Sequence, residues 1–350
     1  MSKSFSLSES ICKTDNGFVI ASQNVNLIFE LPNGSLEYRV LGSIPGERFF
    51  SSRLVGSIEK YKNKLIFVPG TASAISILDL DTKEWKQIEI KNSGIIGNVK
   101  FLSSGIFKDK IFMFGCHYPA IISLDMNSYE IEYDFDSLKP LYGKVKERSD
   151  CFFRTDIGEV DGKYFLACCS DNVILKYDPD KMHGELIRVG DENDRFSGIA
   201  YDGEAFWISP RFPGDVIKWA GGDEERFTLQ QMQGNKSSLF SLGIVIDKDK
   251  NIVIPNLDYE YRYVKEINSD HFVPEKSNKK LLFKTFDDGT VSIDAGGRIK
   301  LDINDEIISY SIFSNDRQVT EYLKKTGNIY IRSSCILESI LTLDTYLDLI

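Results

Sequence analysis

The chain has 350 residues, with 42 basic against 52 acidic side chains, hence a net charge of −10. An acidic chain of this kind argues against nucleic acid or an anionic membrane as partner, since both need a basic face. No run free of Asp, Glu, Lys and Arg is longer than 111–124, well short of the ~20 residues of a spanning helix. The first residues, Met-Ser-Lys-Ser-Phe-Ser-Leu-Ser-Glu, lack the apolar core of a signal peptide. Six Cys show no C-x-x-C and no paired spacing, so the expectation is a reduced, cytoplasmic, soluble protein with six free thiols.

In chain order, a polar turn followed by a short apolar run recurs. It reads Asn-Gly-Phe-Val-Ile-Ala at 16–21, Asn-Lys-Leu-Ile-Phe-Val at 63–68 and Asp-Lys-Ile-Phe-Met-Phe at 109–114. It continues with Gly-Lys-Tyr-Phe-Leu-Ala at 162–167, Gly-Glu-Ala-Phe-Trp-Ile at 203–208, Asp-Lys-Asn-Ile-Val-Ile at 249–254 and Asp-Gly-Thr-Val-Ser-Ile at 288–293. Aligned on Phe18, Leu65, Ile111, Tyr164, Ala205, Asn251 and Thr290, the steps are 47, 46, 53, 41, 46 and 39. Each unit adds a strand before the turn and two after it, such as 75–80 and 85–90 in the second unit. β-Branched and aromatic residues fill these runs, as suits a pleated, half-buried surface. The period and the strand count predict an all-β propeller of four-stranded blades, seven in number, with six as the alternative.

The units at 53–90, 99–135 and 151–189 resemble kelch-like and related β-propeller repeats. The phrase Leu78-Asp79-Leu80-Asp81-Thr82-Lys83-Glu84-Trp85 is similar to that family's third-strand turn leading to a blade-packing Trp. The kelch double glycine is absent from nearly every unit, and only Gly296-Gly297 comes close. The resemblance implies blades around a central channel, closed by pairing of the two chain ends, and it implies no activity.

Residues 314–350 break the rhythm and are expected to form a C-terminal helical extension packed on a propeller of residues 1–313. A short helix is predicted over 318–325 with Val319 and Leu323 on one side. Ile336, Ile340, Leu343, Leu347 and Ile350 make an amphipathic stripe, with Ser334 placed to cap it.

In such a blade the first-to-second hairpins lie on one face, and the chain enters the first strand and leaves the second on the other. The hairpins are short, charged and alike, which is the composition of solvated turns. The opposite, channel-mouth face carries Arg53, Lys100, Arg154, Arg195 and Lys280 ahead of the first strands, accompanied by Phe50, Phe101, Phe153, Phe196 and Phe240. His117, Tyr118, Asp171 and Arg211 leave second strands on that same face. Arg offers a planar fork for carboxylate or phosphate, and aromatics offer stacking faces. The ligand-binding candidates are therefore Arg53, Lys100, His117, Tyr118, Arg154, Asp171, Arg195 and Arg211. The plain structural alternative makes the Phe residues core and the Arg residues partners of neighbouring acids.

Other chemistry is thin. His117, His183 and His271 fall on different faces, so no three-His metal site is expected, and no cofactor is expected either. Adjacent Cys168 and Cys169 should point to opposite sides and pack as small apolar groups. Cys116 beside His117 would make a nucleophile pair only if the backbone turned the two side chains together. Asp156, Glu159 and Asp171 are the acids available for glycosidase-type roles. The chain has no P-loop, G-x-G-x-x-G, H-E-x-x-H, EF-hand loop or G-x-S-x-G. The expected function is non-catalytic recognition of a peptide, protein or anionic small ligand at the channel mouth. The alternatives are a carbohydrate-active hydrolase or lyase at the same mouth, and a structural subunit docking through its C-terminal stripe.

Overall fold

The computed structural model describes residues 7–326, apart from 36, 93–96, 148–149, 155, 230–240, 242, 257–260, 267, 277–279, 287–288, 295–298, 304–305 and 311–316. Among the described residues seven four-stranded antiparallel sheets follow one another along the chain, each made of four consecutive strands. All seven aligned apolar runs fall on second strands: Gly17–Ser22, Lys64–Pro69, Lys110–Gly115, Lys163–Ala167, Phe206–Pro210, Ile252–Pro255 and Gly289–Asp294. Where side chains are described, these strands are buried almost throughout, because each is covered by a neighbouring blade on both faces. That is why they read as continuous apolar runs and not as alternating ones.

The first strands pack edge to edge around the channel. In blade 2 the strand Val55–Tyr61 lies between those of blades 1 and 3. The Ser10 hydroxyl reaches the carbonyls of Val55 and Gly56 at 3.0 and 2.9 Å. Hairpin tips carry left-handed residues, including Lys62 (φ 54°), Lys108 (φ 56°) and the pair Asp161–Gly162 (φ 50° and 69°), which hairpin turns of this hand require. At the far end of the third strands one acid recurs. Asp79 accepts the amides of Asp81 and Thr82, Asp125 those of Asn127 and Ser128, and Asp178 those of Asp180 and Lys181. These backbone donors hold Asp79 and Asp125 below the usual carboxylate range.

Closure differs from the expectation. Among the described residues no sheet combines strands from the two chain ends: Leu7–Thr14 pairs with the strand that follows it, and Lys280–Phe286 with its own successor. The first and last blades meet through packing, with Lys284 Nζ donating to the Ile11 carbonyl at 3.0 Å. Trp85 does act as a blade-packing residue, lying 5.3 Å from the Phe67 ring and against Gly42 of blade 1.

A helix, α1, runs over Arg317–Thr326 and buries Val319 and Leu323 among Ile11, Phe18, Phe29 and Tyr38 of blade 1. The Tyr322 hydroxyl lies 3.0 Å from that of Ser43. Leu323→Ala should therefore lower stability by about 2–4 kcal/mol, whereas Lys324→Ala on the exposed side should be silent. Equal denaturant midpoints for the two variants would show that the helix does not hold blade 1. The stripe at 336–350 and Ser334 lie outside the described residues. Among the described residues no helix is long and apolar enough to cross a membrane.

Candidate functional site at the channel mouth

A backbone relay links successive blades on this face. The amide of Arg53 donates to Gln23 O, Lys100 to Gly70 O, Phe152 to Cys116 O and Phe196 to Cys168 O, at 2.7, 2.8, 2.8 and 3.2 Å. In the second to fifth blades a residue leaving the second strand bonds back to the approach segment of its own blade, as in Cys116 N to Lys100 O and Arg211 N to Arg195 O. The loops around the mouth are thus tied to one another, and the relay sets which side chains point where.

Counted from the relay residue, Arg53 and Lys100 occupy the same position. Arg154 lies two residues beyond it and Arg195 one residue before it, so Arg154 and Arg195 do not occupy equivalent positions. Arg195 turns onto its own loop, with Nη1 donating to the carbonyls of Glu192 and Asp194 at 2.9 and 2.6 Å. Lys100 is half-buried and donates to Ala72 O at 2.8 Å. Burial lowers its pKa, against the raising influence of Glu47. Arg53 is exposed.

The residues leaving second strands also divide. Tyr118 is fully buried, its ring tilted against that of Phe101 at 5.0 Å and its hydroxyl donating to Lys91 O at 2.8 Å, and so forms part of the wall. Asp171 is buried too, 3.5 Å from Lys144 Nζ and accepting the Asn172 amide. His117 is half-buried, and its Nδ1 lies 2.8 Å from Val99 O, so that nitrogen carries the proton. The same atom is 3.8 Å from Cys116 Sγ. The turn does bring Cys116 and His117 together, but Nδ1 is committed as a donor and is not a base for the thiol. Arg211 is buried and reaches back from blade 5 to blade 4, with Nη1 3.0 Å from Cys169 O and 3.7 Å from Cys151 Sγ. Phe101, Phe153 and Phe196 belong to the core. Phe50 and Phe212 are 44% and 43% exposed, each close in sequence to a guanidinium, Arg53 and Arg211. Phe240 and the Lys280 side chain lie outside the described residues.

The acids do not converge. Asp156 accepts the Ile244 amide at 2.9 Å and occupies space that only Gly198 and Gly243 leave open, tying blade 4 to blades 5 and 6. Glu159 is exposed on the first strand of blade 4. His183 begins the last strand of that blade, and His271 pairs with Asp270 on the surface. Among the described residues no group of His, Cys, Asp or Glu is arranged to hold a metal ion.

The sequence reading missed a cluster of three thiols. Cys116, Cys151 and Cys169 pack together with Val99 at the seam of blades 3 and 4. Cys168, by contrast, points into the core between those blades, so the two adjacent Cys do face opposite ways. No sequence signal marks the cluster, because its members come from three loops, the middle one inside the long connection 135–157.

No protein-family model matches the chain, and no curated protein matches it in sequence. In fold it is similar to virginiamycin B lyase from Staphylococcus aureus, with TM-score 0.63 and 11% identity over 85% of this chain and 97% of that one. YCF48 from Cyanidioschyzon merolae is similar at TM-score 0.59 and 10% identity, covering 85% of this chain and 95% of that one. PorZ, a surface component of the type-IX secretion system of Porphyromonas gingivalis, follows at TM-score 0.57 and 12% identity, over 89% of this chain and 39% of that one. At these identities the likeness is one of fold alone, and these neighbours include both an enzyme and a surface component. Its consecutive four-stranded sheets and its structural neighbours make this chain a β-propeller.

Proposed function

We propose that the protein is a non-catalytic binding propeller that recognises an anionic ligand, as a small molecule or as an acidic segment of a peptide or protein, at its channel-mouth face. The observation that supports this most is the exposed Arg53 at that face, three residues from the exposed ring of Phe50, with a second exposed ring at Phe212, on a chain of net charge −10. Planar cations beside ring faces suit carboxylate- or phosphate-bearing ligands. A hydrolase or lyase would need two acids meeting at the mouth. Asp156 and Asp171 are instead engaged with backbone amides, which weighs against a two-carboxylate mechanism. A reducing, cytoplasmic setting goes with this reading, since all five described cysteines are thiols.

Titration with citrate and with an acidic peptide tests the proposal. Arg53→Ala with Phe50→Ala should weaken binding roughly tenfold, more at low salt than at high salt. Binding that ignores both substitutions and ionic strength would refute the assignment of this face.

A further inference from the structure

The thiol cluster has the construction of a reactive site and not of a packing layer. Its three members arrive on separate segments, and backbone bonds fix them: Phe152, next to Cys151, donates to Cys116 O and accepts from Cys169 N, both at 2.8 Å. Ser170 donates its hydroxyl to Cys151 O at 2.8 Å. Above the sulfurs sits the Arg211 guanidinium, 3.7 Å from Cys151 Sγ. Arg154 adds a second positive charge to the same three sulfurs. Two guanidiniums oppose a metal cation here and favour a thiolate.

We propose that Cys151 is a hydroperoxide-reactive thiolate, and that Cys116 or Cys169 resolves its oxidised form to a disulfide across this cluster. The Cys151 sulfur attacks the terminal peroxide oxygen, the O–O bond breaks, and the departing alkoxide or hydroxide takes a proton. The product is a sulfenic acid. A neighbouring thiol then attacks that sulfur, an S–S bond forms, and water leaves carrying the thiol proton. Two thiols are oxidised, and one hydroperoxide is reduced to an alcohol, or to water, with a further water released.

The electrostatics agree. Hydrogen bonds from Cys116 and then Cys169 hold the Cys151 thiol well below its ordinary range, with Arg211 and Arg154 adding to the effect against the cost of burial. Cys116 is pushed up by its bond to Cys151, and Cys169 chiefly by burial. Cys151 is also the most exposed residue of the three, at 5% against 2% for each neighbour. Cys12 and Cys168 serve as internal controls, since burial pushes both up to about 12.

The test is peptide mapping of the folded, reduced wild-type chain after limited exposure to hydrogen peroxide. The expected product joins Cys151 to Cys116 or Cys169 while Cys12 and Cys168 remain reduced. In Cys116→Ser with Cys169→Ser the sulfenic acid should persist and be trapped by dimedone at Cys151. Arg211→Gln should slow the oxidation of Cys151 roughly tenfold at neutral pH. Cys151 remaining reduced under peroxide that oxidises Cys12 or Cys168, or equal oxidation of all of them, overturns the proposal on the wild-type chain alone, whatever the variants do.

Discussion

Gly56→Ala should lower the free energy of unfolding by about 3 kcal/mol or more, among the larger losses that one methyl group can cause. A Cβ at this position would lie 1.9 Å from the carbonyl oxygen of Phe101 and 2.9 Å from its carbon. Both atoms are backbone of the neighbouring blade's first strand, so no side-chain rotation can relieve the overlap. The blades would have to separate at the channel wall, where Ser10 already ties Val55 and Gly56 from the other side. Gly143→Ala is the matched control, because a Cβ there meets nothing within 4 Å, and it should shift stability by no more than about 0.5 kcal/mol. Chemical denaturation of the two variants side by side decides the matter. Indistinguishable midpoints would mean that the first strands are not in backbone contact.

The second large effect is alkaline. Burial raises the Cys12 and Cys168 thiols from an ordinary value of 9.0 to about 12, with the Glu59 carboxylate adding to the rise at Cys12. In the unfolded chain these thiols lose their protons near the ordinary value, while in the folded chain they keep them. The unfolded state then binds fewer protons, so stability is complete below about pH 8.5 and falls as pH climbs towards 12. Each group contributes a slope of about 1.4 kcal/mol per pH unit in that window. Cys151 acts in the opposite sense: its contribution grows as pH rises from its lowered folded value towards 9. Stability should consequently decline steeply above about pH 8.5. Urea titrations between pH 7 and pH 10.5 would show it. Cys12→Ala with Cys168→Ala should flatten the decline by about 2.7 kcal/mol per pH unit. An unchanged slope in the double variant would assign the alkaline loss to other groups, such as the buried Tyr164 and Tyr177, whose hydroxyls are also raised by burial.

The architecture was legible because burial on both faces writes itself directly into sequence. Runs such as Leu65–Val68 and Ile111–Phe114 can hardly be anything but central strands, and their spacing counted the blades. Asp79, Asp125 and Asp178 recur at one place in successive units because each turn needs an acceptor there. The site was less legible, because its side-chain directions depend on register within irregular loops. A shift of three residues against the backbone relay sends Arg154 towards the thiols and Arg195 back onto Glu192 and Asp194. Tyr118 looked like a rim residue because it follows a strand end, yet the turn folds its ring inward onto Phe101. The thiol trio depends on the path of the connection 135–157. There the short helix Lys139–Leu141 and the Tyr142 hydroxyl, bonded to Pro119 O at 2.6 Å, anchor the segment that delivers Cys151.

That every described sheet is spun from one uninterrupted stretch of chain has a consequence for how the ring came to be and how it can be altered. A blade is at once a unit of the gene and a unit of the fold, so in-frame duplication or loss of some forty to fifty codons adds or removes a whole sheet without splitting another. For the same reason a break placed in a loop between blades cuts none of the described hydrogen-bonded ladders. Rings latched by a shared sheet lack that freedom, since moving their ends dismantles the latch.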